Sequence, residues 1–197
     1  MELNPELNVA LAAAMTLFVA AWCVAVGGWI VGVVEAIAVW RLVRWPFRIG
    51  LVAMSSTKDG PCPTGLAAES MNETALTKYR VLPGRVCLFR RRYALFAFRW
   101  NTPLEVKGTI SWADGKLLTV GRYPLGVTLF FLGWLAGWSI GGVAFLTQKP
   151  LVGAPFLALG WAVGGGMMLH SRILERRRFL RHASEVVDAL QRGPRVA

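Results

Sequence analysis

The stretch from Pro124 to His170 reads PLGVTLFFLGWLAGWSIGGVAFLTQKPLVGAPFLALGWAVGGGMMLH, two apolar runs parted by TQKP. The first run, Pro124–Leu146, carries no charge, and neither does the second, Leu151–His170. A helix rising about 1.5 Å per residue needs about 20 residues to cross a hydrocarbon core of roughly 30 Å, and both runs reach that length. Neither has a polar face to turn toward water, which excludes a pair of buried helices in a soluble domain. A connection this short, punctuated by Pro150 and Gly153, predicts an antiparallel helical hairpin.

A third run of the same character lies upstream, Asn8–Val34, with no charge before Glu35. It exceeds the ~7–15 residues of a signal-peptide core and follows Glu2 and Glu6 rather than a basic segment, so it reads as an anchor. EAIAVW continues the helical pattern to Trp40, which predicts a tilted helix or one that projects past the bilayer.

The composition fits a membrane protein: 55% of the 197 residues are hydrophobic, nine are tryptophan and only 17% are charged. The formal net charge is nevertheless +11. Of the 22 lysines and arginines, fourteen lie between Arg41 and Arg122 and seven follow His170, leaving Lys149 in the hairpin turn. Three crossings put the two large groups on one side. The positive-inside rule makes that side the cytoplasm, with the N-terminus and the TQKP turn outside, as in a multi-pass membrane protein. Cys62 and Cys87 then face a reducing compartment and Cys23 lies in the first span, so no disulfide is expected. The glycosylation sequon at Asn72 is a chance match on that side.

The expected fold is a membrane α+β chain in four parts. Residues 1–40 form the N-terminal tail and first transmembrane helix, 41–122 a small cytoplasmic β-rich domain, 123–171 the transmembrane hairpin and 172–197 a basic amphipathic cytoplasmic tail. Within the second part, KYRVL, VCLFR, YALFAFRW, VKGTISW and KLLTVGRY read as strands separated by PG, NTP and ADG turns, with Asp114–Gly115 the clearest hairpin. The preceding SSTKDGPCPTGLAAESMNETA reads as a long loop with one short helical turn. A domain this small is marginal alone and is expected to lean on the helices. In the tail, Phe179, Ala183, Val186 and Leu190 share one helical face, which either lies on the cytoplasmic leaflet or closes the β domain.

VCLFRRRYALFAFRW, Val86–Trp100, threads four arginines through five aromatic rings. As a strand, Tyr93–Trp100 is apolar on both faces, which suits a central strand and argues against a base-stacking platform, so no nucleic acid is expected. Arg90, Arg91 and Arg92 fall at a strand end, from which they are expected to reach anionic headgroups at about 1 kcal/mol each. Arg41 and Arg44 after the first span, and Arg176, Arg177 and Arg178 after the third, join that anionic-lipid set.

Glycines recur every fourth residue: Gly28 and Gly32 in the first span, Gly133, Gly137 and Gly141 in the second, Gly160 and Gly164 in the third. Such stripes let helix backbones approach closely in lipid, either within the chain or against a partner or second copy. Gly137, at the centre of its stripe, is expected to tolerate enlargement least. No catalytic, metal or cofactor constellation is legible. His170 and His182 lack partners at ligand spacing, and Glu35 stands at a helix end within reach of the interface.

The segment FAFRWNTPLEVKGTISWADGKLLTVGRYPLGVTLFF, Phe96–Phe131, resembles part of a family of uncharacterised bacterial inner-membrane proteins. In that family a β stretch of the form N-S-F-x-P-x-x-x-G-x-I leads into a two-helix membrane hairpin and a helical cytoplasmic tail. Asn101, Pro103, Gly108 and Ile110 approximate its marks. The likeness covers the second half of the chain; it implies an architecture and no activity. The functional expectation is a non-enzymatic integral membrane protein that binds a protein partner through its helices or β domain, as an accessory subunit, assembly factor or immunity protein. The alternative is a membrane-bound enzyme or transporter component that uses Glu35 and the arginines on an anionic lipid.

Overall fold

The computed structural model describes residues 5–60, 71–92 and 104–192. The strand expected at Tyr93–Trp100, the NTP turn and the helical turn expected before Met71 lie outside them. The chain begins with α1, Pro5–Trp40, whose 36 residues make about 54 Å of helix at 1.5 Å per residue. A single 3-10 turn, Trp45–Phe47, follows. Six strands come next: β1 Val52–Asp59, β2 Met71–Glu73, β3 Thr77–Leu82, β4 Val86–Arg91, β5 Lys107–Ala113 and β6 Lys116–Arg122. Then α2 spans Leu125–Gln148 and α3 Pro150–Gly160, and a π turn over Trp161–Gly165 runs into α4, Gly166–Arg192. Among the described residues three helices are long and apolar enough to cross a membrane: α1, α2 and the continuous rod Pro150–Arg192. Their outward side chains include Leu17, Ile30, Leu132, Val143, Leu151 and Leu159, all exposed.

Only Lys149 separates α2 from α3, so the predicted hairpin is tighter than the four-residue connection suggests. Its N–H bonds back to Phe145, while Pro150 supplies the preset φ of a first helical turn. The second helix lies between the other two. Antiparallel packing of α1 on α2 places Gly32 beside Gly126, Ala25 beside Gly133 and Trp22 beside Gly137.

The sheet is antiparallel throughout, in the order β1-β6-β5-β4-β3-β2. Asp114 and Gly115 turn β5 into β6 with φ of 51° and 71°. Positive φ at both positions is what a two-residue type I′ hairpin requires, and Asp-Gly supplies it at low cost. The turn between β3 and β4 places Gly84 and Arg85 at positive φ. The predicted strands KYRVL, VCLFR, VKGTISW and KLLTVGRY coincide with β3 to β6. The predicted loop is corrected in two places: SSTKD belongs to β1 and MNE is β2. Both are edge strands with mostly exposed side chains, so their sequences lack the apolar alternation of a half-buried strand.

One face of the sheet buries Tyr79, Val81, Cys87, Phe89, Ile110 and Trp112 against Phe179, Ala183, Val186 and Leu190 of α4. That settles where the amphipathic stripe goes: it closes the sheet. The stripe also begins earlier than its apolar residues suggest, because Ser171 and Glu175 are buried on the same face. No break separates residues 171 and 172, so hairpin and tail are one helix. On the opposite face Leu88 packs with Val39 in the last turn of α1, with Leu42 just beyond it and with Phe47. β4 is therefore the strand buried on both sides, the role the sequence suggests for Tyr93–Trp100.

Candidate functional site

The polar residues that matter converge where α1, the head of α2 and the sheet meet. Glu35 lies one turn before the end of α1, and 1% of it is exposed. One carboxylate oxygen pairs with the Lys107 ammonium of β5. The other accepts the Gly126 N–H at 2.9 Å. Gly126 is in the first turn of α2, where unsatisfied N–H groups and the helix dipole favour a negative charge. Lys107 is equally enclosed, with 2% of its side chain exposed. Burial pulls its ammonium below the usual lysine value, and the Glu35 carboxylate works in the opposite direction. The expectation that Glu35 reaches the interface is thus corrected: the residue is locked inside, tying three elements together.

Arg90 is the second lock. Its Nε and Nη2 donate to the Trp40 carbonyl at 3.1 and 2.9 Å, and Nη1 donates to the Arg91 carbonyl at 2.8 Å. A guanidinium on the last carbonyls of a helix satisfies orphan acceptors and complements the negative end of the dipole. Arg90 is 4% exposed, and its guanidinium is turned toward these carbonyls. It faces the α1 side of β4, alternating with Cys87 and Phe89, which face α4.

The other arginines of the anionic-lipid set are placed differently from one another. Arg92 is half exposed and pairs with Glu73 at 3.4 Å. Arg178 pairs with Glu175 at 3.4 Å. Arg91 is half-buried, and Arg41, Arg44, Arg176 and Arg177 are exposed. On the α4 face, Glu175 accepts the Val106 N–H at 3.3 Å, just before β5. Thr77, fully buried, donates its hydroxyl to Glu185 at 3.2 Å and lies 2.9 Å from Nδ1 of His182. These contacts fasten α4 to the sheet. Burial also raises the Cys87 thiol far above its ordinary value, leaving it a packing residue.

All seven stripe glycines face other helices of this chain. A β-carbon at Gly28 would come within 2.8 Å of the Leu129 carbonyl carbon, and one at Gly133 within 2.6 Å of the Ala21 carbonyl oxygen. At Gly32 it would meet the α2 backbone at 3.4 Å, at Gly137 the Trp22 indole at 2.9 Å and at Gly141 the Phe18 ring at 3.2 Å. Gly160 abuts Trp138 at 2.7 Å and Gly164 abuts Leu135 at 3.0 Å.

Two cavities adjoin the Glu35 cluster. An apolar groove of about 520 Å³ runs between α1 and the third helix, walled by Trp29, Val33, Phe130, Trp134, Val163 and Met167. A smaller pocket of about 140 Å³ is lined by Glu35, Arg90, Glu105 and Lys107. Gly32, Ala36 and Val127 line both, so the two cavities are neighbours. Sequence reasoning found Glu35 and Arg90 but not their partners, because Lys107 lies 72 positions from Glu35 and Trp40 lies 50 from Arg90. Among the described residues no group of three or more His, Cys, Asp or Glu is arranged to hold a metal ion. Comparison with protein-family models, curated proteins and solved structures finds no match to this chain.

Proposed function

We propose that this chain is a non-enzymatic integral protein of a bacterial inner membrane that binds a protein partner, as an accessory subunit, assembly factor or immunity protein does. Its N-terminus lies outside, and its sheet and C-terminus lie in the cytoplasm. The observation that carries the reading is the double lock of Glu35–Lys107–Gly126 and Arg90–Trp40. A buried ion pair returns little net stability after desolvation, but it fixes position. Here it holds the sheet at one height and angle over the helices, as a rigid binding platform requires. The glycine stripes are occupied within the chain, so the partner surface moves from the helices to the sheet domain. Packing of α4 on the sheet puts tail and sheet at the same end of the bundle, which supports two crossings between them and, with α1, three in all. The cation asymmetry supports the cytoplasm for that end, and the resemblance to the inner-membrane family remains part of this proposal.

Purification from native membranes in mild detergent tests it. A protein partner at fixed stoichiometry is the expected result. Recovery of an anionic lipid with no protein partner, across several mild detergents, would overturn it in favour of an enzyme or transporter component acting on that lipid.

A further inference from the structure

We propose, resting on the partner-binding reading, that the free edge of β1 accepts an extended, acidic segment of the protein partner as an added strand. β1 stands at one end of the strand order, paired with β6. Just past it the Gly60 N–H donates to the Gly115 carbonyl at 3.0 Å, one step beyond the Asp59–Lys116 pair. Hydrogen-bonded and non-hydrogen-bonded pairs alternate along an antiparallel ladder. Lys58 and Ser56 therefore turn their N–H and C=O toward β6, while Ser55, Thr57 and Asp59 turn theirs outward. All three are exposed, and no described residue pairs with their outward backbone groups.

The two edges of the sheet differ. β2 is three residues long, and its Glu73 pairs with Lys78 and Arg92, the short, charged kind of edge that resists further strands. β1 is eight residues long and holds no proline. Its bulge between Val52 and Met54 disturbs only its start, and from Ser55 to Asp59 the ladder with β6 is regular. Outward N–H and C=O groups in such a row are satisfied in register by another extended chain. Leu118, directly opposite Thr57, is 40% exposed, so an apolar or β-branched side chain on the added strand finds a neighbour on that face. Charge favours one occupant over another. Between residues 41 and 122 fourteen lysines and arginines stand against five acids. That field attracts an acidic segment and sets a second copy, itself at +11, against the first.

The test uses the full chain in mild detergent and, as probe, a synthetic peptide of alternating valine and threonine with glutamates at both ends. Fluorescence anisotropy reads binding, and backbone-amide hydrogen exchange reads its place. The wild-type chain is expected to bind the peptide and to slow exchange at Ser55, Thr57 and Asp59, whose amides exchange freely without it. Thr57→Pro deletes an outward N–H and no bond to β6, a change that edge strands accept. It should weaken binding about tenfold, whereas Thr57→Val keeps the N–H and should bind as the wild type does. No binding at about 1 mM peptide, binding unchanged in Thr57→Pro, or slow exchange at those amides before peptide is added would overturn the proposal. Should Thr57→Pro fail to fold, exchange at those amides left unchanged by bound peptide would overturn it by itself. A protein partner recovered from native membranes by a chain that fails these tests keeps the broader reading and puts the partner elsewhere on the sheet domain. Peptide binding at the edge with no recoverable protein partner supports the edge and tells against the broader reading.

Discussion

Glu35, Lys107 and Arg90 are buried charges, and each reports on the junction by what its removal exposes. Replacing one member of a buried pair strands the other, so Glu35→Gln or Lys107→Met alone should cost about 3–5 kcal/mol, while Glu35→Leu with Lys107→Met should cost far less. Denaturant unfolding in detergent measures both. The sign of the pH dependence follows from Lys107, whose ammonium burial already disfavours. Without Glu35 its folded pKa falls further below the unfolded value of about 10.4, so the unfolded chain holds more protons in that window. Stability of Glu35→Gln should therefore rise as pH is raised toward that value. Arg90→Gln leaves the Trp40 carbonyl poorly matched and should cost about 1–3 kcal/mol. Arg92→Gln removes only a half-exposed pair with Glu73 and should cost about 0–1 kcal/mol.

Between elements, the glycine seam ranks its own positions. A β-carbon at Gly133 would strike the α1 backbone at Ala21 and Ala25, which cannot yield without separating the helices. At Gly137 it would meet the Trp22 indole, a side chain that can turn aside. Gly133→Leu should therefore lose more folded monomer than Gly137→Leu in detergent size-exclusion profiles, reversing the order expected from the stripe's centre. The sequence shows the stripe through its four-residue period, but not which backbone lies against it. The same limit runs through the sheet. β3 to β6 are legible because apolar alternation and Asp114–Gly115 are local signals. β1 and β2 are edges, and SSTKD and MNE carry no buried face to betray them. Ser171 and Glu175 hide the continuity of α4 because polar residues stand in its buried stripe.

For the whole molecule, the sheet sits at one end of a helical layer, gripped by α4 on one face and by the end of α1 on the other. Residue composition announces the helices, since nothing but lipid or protein suits so many exposed apolar side chains. The junction was half legible: Glu35 and the arginines stand out in the sequence, but their partners come from distant elements that only folding brings together. The proposed function includes three crossings with sheet and tail on the cytoplasmic side. The direct measurement is a reporter active only in the cytoplasm, fused before Met1 in one version and after Ala197 in another. The account predicts signal from the fusion after Ala197 and none from the fusion before Met1. Signal from both would mean an even number of crossings and would contradict it.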